Sequence, residues 1–71
     1  MKIYLTDHAK LRMKERGISM LKIQQVLKNS DYNKPTYEDK RQIGKKFSNQ
    51  TLEIICVESV TKTLIITLYY L

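Results

Sequence analysis

The chain has 71 residues, room for one domain and too few for two, since chains divide into separate cores only at several times this length. Its composition, 42% hydrophobic and 28% charged, is that of a folded globular chain; its longest apolar stretch, Leu64 to Leu71, is broken by Thr67 and is far too short to span a bilayer. Thirteen Lys and Arg against seven Asp and Glu leave a formal charge of +6 at neutral pH, a field that attracts polyanions and puts RNA or DNA first among candidate partners. A single cysteine, Cys56, within an apolar run reads as a buried thiol in a reducing compartment and excludes a disulfide framework. Met1, Lys2 and Ile3 run into a patterned segment with no apolar leader, so a cytoplasmic location is expected.

The first element, Lys2 to Leu5, alternates Ile3 and Leu5 with Lys2 and Tyr4 and is either a short strand or an extended lead-in. Thr6 or Asp7 then caps a helix over His8 to Arg16, rich in strong helix formers and stopped by Gly17. Ser19 caps a second helix, amphipathic, with Met20, Ile23, Val26 and Leu27 on one arc. Asn29 to Asp31 end it, and Asn33-Lys34-Pro35 reads as a loop. From Thr36 the texture turns to Thr, Ile, Val, Tyr and Phe, and three strands are expected near Lys40 to Ser48, Thr51 to Val60 and Thr63 to Tyr70, with turns at Asn49-Gln50 and Thr61-Lys62. Turns this short force antiparallel neighbours. The fold class is therefore α+β: two N-terminal helices on a three- to four-stranded antiparallel meander, in one domain over residues 1–71.

Helix one carries the chemistry-bearing pattern. His8, Arg12 and Arg16 form a polar stripe beside the packing edge of Leu5, Ala9 and Met13, while Lys10 and Lys14 face solvent. The plain alternative is a helix-start histidine and two arginines ion-paired with Glu15, Glu53 or Glu58. If both turns hold two residues, Arg41, Lys45, Glu58, Thr67 and Tyr69 share a sheet face with Ile43, Ile54, Cys56 and Ile65, leaving Ile55, Val57, Leu64, Ile66 and Leu68 to lie under the helices; one bulge exchanges these faces. One His, one Cys and scattered carboxylates make no zinc site, and two glycines make no phosphate-cradling loop, so neither metal nor cofactor is expected. A Cys56–His8 nucleophilic pair is weak, because apolar neighbours raise a thiol's pKa. The inventory does suit metal-free RNA cleavage, which needs a base for the 2′-hydroxyl, a proton for the leaving oxygen and cations around the phosphate.

The segment His8-Ala9-Lys10-Leu11-Arg12-Met13-Lys14-Glu15-Arg16-Gly17-Ile18-Ser19 resembles the signature H-A-x-x-R-M-x-x-R-G-I-S of the domain of unknown function 4258, and Ile65-Ile66-Thr67-Leu68-Tyr69 is similar to that family's closing hydrophobic-Thr-hydrophobic-Tyr pattern. The resemblance covers nearly the whole chain and implies kinship with toxin-type nucleases of the barnase, EndoU and RelE-like class. It implies proton transfer by His8, phosphate contacts by Arg12, Arg16 and Arg41, and orientation or transition-state hydrogen bonding by Thr67 and Tyr69; Lys45 joins the phosphate contacts through its expected place on the sheet face of Arg41. The expectation is thus a small RNA-binding, metal-independent endoribonuclease of toxin–antitoxin type, monomeric or homodimeric, with RNA and an acidic antitoxin as partners. The alternative is a non-catalytic module that binds nucleic acid or protein through the same basic surface.

Overall fold

The computed structural model describes residues 2–71; Met1, from which the absence of a leader is read, lies outside them. In chain order the elements are β1 (Lys2–Leu5), α1 (Asp7–Arg16), α2 (Met20–Lys28), β2 (Tyr32–Pro35), β3 (Arg41–Phe47), β4 (Gln50–Glu58) and β5 (Lys62–Tyr70). The helices end where local chemistry ends them. Gly17 sits in the left-handed region at φ 64°, where only glycine is at ease, and its N–H donates to the Met13 carbonyl. Ser19 accepts from the Lys22 N–H and opens α2, whose Ile23 and Val26 are buried and whose Met20 and Leu27 pack at the margin. Neither helix, nor any other among the described residues, is long and apolar enough to cross a membrane.

The class is α+β as expected, but the sheet has five strands in the order β1-β5-β4-β3-β2 and is mixed rather than purely antiparallel. Lys2–Leu5 is a strand and pairs parallel with the start of β5. Parallel neighbours need a long crossover, supplied here by everything between the chain's two ends, which no local turn signal reveals. The other addition is β2, where a loop is expected. Its tail is rich in Asn, Lys and Pro, yet it pairs with β3 from Tyr32↔Gly44 to Pro35↔Arg41. It is an outermost strand, the one place where a proline's missing N–H costs no ladder bond.

One face of the sheet packs against both helices. Ile43, Leu52, Ile54, Cys56, Ile65 and Leu68 are buried there with Ala9, Ile18, Ile23 and Val26. The helices thus cover the face of Ile43, Ile54, Cys56 and Ile65 rather than the expected face of Ile55, Val57 and Leu64, and a bulge redistributes the end of β5. Ile55 pairs with Thr67 but Cys56 pairs with Ile65, so Ile66 is an extra residue on β5 without a partner on β4. Beyond it the alternation is shifted by one. Leu68 joins Ile65 under the helices, while Thr67 and Tyr69 turn to the opposite face with Ile55, Val57 and Leu64. That opposite face carries no helix.

Candidate functional site

β1 pairs with β5 only as far as Leu5↔Ile65, and the chain then turns into α1, which packs chiefly on β5. Thr6 makes this junction. Its N–H donates to the Ile65 carbonyl (3.1 Å), its Oγ1 donates to the Ile66 carbonyl (2.9 Å), and the same oxygen accepts the Ala9 N–H (3.1 Å) as the N-cap. The helix start is thereby pinned to the bulge, and Ala9 is buried against the core. His8, its neighbour, stays exposed and reaches the face that the bulge has given to Thr67.

His8 Nε2 lies 3.1 Å from Thr67 Oγ1, across 59 residues of sequence, and Arg12 Nε donates to the same nitrogen at 3.5 Å. A guanidinium N–H is always a donor, so in its contact with Arg12 it is Nε2 that accepts. Arg12 is also paired with Glu15 through Nη1 at 3.6 Å, an exposed contact that steadies the guanidinium more than it stabilises the fold. Arg16 is exposed one turn further along the same stripe. His8, Arg12 and Thr67 therefore meet.

Tyr69 shares the face and lies two residues beyond Thr67 on β5, about 7 Å along the strand. Its hydroxyl donates to one oxygen of Glu53, directly opposite on β4, and the hydroxyl of Tyr32 donates to the other. Tyr32 crosses β3 to do so, and it can because the residue beneath its ring is Gly44. Glu53 is 4% exposed. Burial by itself raises its pKa, but the hydrogen bonds from Tyr32, Tyr69 and Gln42 and the nearby Lys34 outweigh burial and hold the carboxyl below its ordinary value. Burial first, then the bond to Glu53 and its charge, push both tyrosine hydroxyls up to about 12. The sequence reading weighed Glu53 only as an ion-pair partner for the arginines; the available signal was a lone carboxylate inside the apolar run Leu52 to Val57.

A family model, Domain of unknown function (DUF4258), matches residues 5–70, from the end of β1 to the end of β5. The chain belongs to the DUF4258 family. No curated protein and no solved structure matches it.

In this member of the DUF4258 family, two of the expected phosphate contacts lie elsewhere. Arg41 pairs with Cys56 and Lys45 with Leu52, which places both on the helix-covered face, opposite Thr67 and Tyr69. The expected grouping of Arg41, Lys45, Thr67 and Tyr69 fails because it assumed strict alternation through Ile66. Both cations are also engaged. Arg41 donates to Asn33 Oδ1 and to the Asn33 carbonyl (2.9 Å each) and lies 3.9 Å from Glu58, and Lys45 Nζ donates to the Asn29 carbonyl at 3.1 Å. Cys56 is fully buried, and burial with Glu58 nearby, partly opposed by Arg41, pushes its thiol up to about 12, so it is no nucleophile for His8. Among the described residues, no three His, Cys, Asp or Glu side chains gather into a metal-binding set.

Proposed function

We propose that the protein binds RNA and cleaves it without a metal ion, with His8 as the base that opens the reaction. The observation that carries this reading is the placement of His8 Nε2, 3.1 Å from Thr67 Oγ1 and 3.5 Å from Arg12 Nε on an exposed sheet face. A neutral imidazole with its lone pair directed by fixed partners is what abstraction of a 2′-hydroxyl proton requires. The 2′ oxygen then attacks the adjacent phosphorus, the bond to the 5′ oxygen breaks, and the leaving oxygen takes a proton from water, which the exposed site admits. Arg12 and Arg16 stabilise the charge that builds on the phosphate. Thr67 orients the imidazole. Tyr69, its proton held by Glu53, positions substrate through its hydroxyl oxygen rather than exchanging protons.

The kinship with RelE-type toxins that the motif resemblance implies agrees with this reading, and a net charge of +6 suits an acidic antitoxin as well as RNA. The test is incubation with single-stranded RNA in excess chelator, followed by analysis of the new ends. Fragments ending in a 2′,3′-cyclic phosphate, and none from RNA carrying a 2′-deoxy sugar at the cut position, are the expected result. Intact RNA, or cleavage that the chelator abolishes, overturns the proposal.

A further inference from the structure

The sheet face that carries Thr67 and Tyr69 continues along β5 to Leu64 and Lys62, and sideways to Tyr4 and Lys2 on β1. At that end lies an open cleft of about 490 Å³ lined by Lys2, Tyr4, Thr61 and Lys62. Its floor is fixed by the Lys2 N–H, which donates to the Thr61 carbonyl at 3.2 Å.

Two features of the cleft suit a ligand. Lys2 and Lys62 are paired directly in the parallel register, and like charges in that arrangement are destabilising. No carboxylate lies within ion-pair distance of either one among the described residues. Beside them Tyr4 is 47% exposed on the face without a helix, with Lys62 Nζ 5.8 Å from its ring centroid. A half-exposed aromatic ring flanked by two ammonium groups that no carboxylate pairs with among the described residues is complementary to a base and the phosphate next to it. The wider face agrees: of its paired positions Lys2, Lys34, Lys46 and Lys62 are basic, and the one carboxylate, Glu53, is capped by two tyrosines.

We infer that this cleft is a second nucleotide subsite, in which Tyr4 stacks a base and Lys2 and Lys62 hold its phosphate, for single-stranded RNA running along β5 to His8. The inference rests on the reading of the His8 centre for the identity of the ligand. Lys62 and Thr67 are five positions apart on β5, about 16 Å, so the subsite lies roughly three to five nucleotides from the reacting phosphate.

The probe is a 2′-O-methyl RNA oligomer of about eight nucleotides, which binds but cannot react, compared with a dinucleotide too short to reach the cleft. Fluorescence anisotropy reads both. Tyr4→Ala is expected to weaken the oligomer about tenfold and leave the dinucleotide unchanged, with Tyr4→Phe restoring affinity. Lys62→Gln, an exposed change that removes the ammonium beside the Tyr4 ring, is expected to weaken the oligomer more than Lys10→Gln on the solvent side of α1. Equal losses at Lys62 and Lys10, wild-type affinity in Tyr4→Ala, or equal losses on both lengths of probe would overturn the subsite, as would no binding of the oligomer by the wild-type protein. Cleavage of ordinary RNA is scored separately: if it is absent while the length-dependent binding holds, the His8 reading falls and the subsite stands.

Discussion

A methyl group at Gly44 would overlap the Tyr32 ring, so the glycine and the tyrosine are one device for carrying a hydroxyl across β3 to Glu53. Gly44→Ala should therefore cost about 1–3 kcal/mol in urea unfolding, as overpacking typically does. The same change in a Tyr32→Ala background should cost clearly less, because the clash is gone. The cluster also sets a pH dependence. Below about pH 10 Tyr32 and Tyr69 are protonated in both folded and unfolded chains, and their contribution is full. Between about 10 and 12 the unfolded chain sheds protons that the folded chain keeps, so stability falls as pH rises. Glu53 acts in the opposite sense: its pKa is lowered, so its contribution is present above the unfolded carboxylate value and is lost as pH falls through the folded one. Urea midpoints should accordingly decline at both ends of the range, and Tyr69→Phe should flatten the alkaline decline. At the His8 centre geometry matters beyond charge. Arg12→Lys keeps the charge but loses the fork that bonds Nε2 and Glu15 together, and should impair cleavage at least tenfold, whereas Lys14→Ala should cost only salt-sensitive affinity. The stripe of His8 and Arg12 was legible from helical spacing, whereas Thr67 was named only by the likeness of the closing strand to the family pattern. Glu53 was not, because an acid in an apolar strand reads as an ion-pair partner until its tyrosines are seen.

Helix limits were legible from caps and stops: Thr6 or Asp7 at the start and Gly17 at the end bracket Asp7–Arg16. Strand facing was not, since a single inserted residue, Ile66, reverses every position beyond it and no composition marks the insertion. Deleting Ile66 would restore plain alternation and drive Thr67 and Tyr69 toward the helices while expelling Leu68. It should abolish cooperative unfolding, checked by circular dichroism melts. β2 escaped notice because Asn33-Lys34-Pro35 has loop composition, although its pairing is held by β3 and by a turn of unusual conformation. Glu38 and Asp39 both have positive φ, 57° and 60°, where L residues are strained, and the Lys40 N–H closes the turn on the Tyr37 carbonyl at 3.1 Å. Replacing Glu38-Asp39 by Asn-Gly should raise stability by about 1 kcal/mol in the same urea assay.

Across the whole molecule, the bulge and the early end of β1 create a sheet with one helix-covered face and one open face, and α1 delivers His8 to the open one. Charge alone does not distinguish a general electrostatic surface from a site, because a +6 protein attracts RNA by counterion release whichever residues supply the charge. Arg41 and Lys45 show the difference: both are cations, and both are tied down on the face opposite His8 and Thr67. What separates an enzyme from a binder is whether one exposed imidazole matters out of proportion to its charge. The deciding measurement is single-turnover cleavage of one RNA by wild-type protein and His8→Ala in chelator, with affinity for the 2′-O-methyl analogue and melting temperature recorded alongside. Cleavage slower by about 100- to 10,000-fold, with affinity and melting temperature within error of wild type, is the expected result. Equal cleavage by the two proteins, or a loss that follows unfolding or weakened binding, would contradict the assignment of His8 as the base.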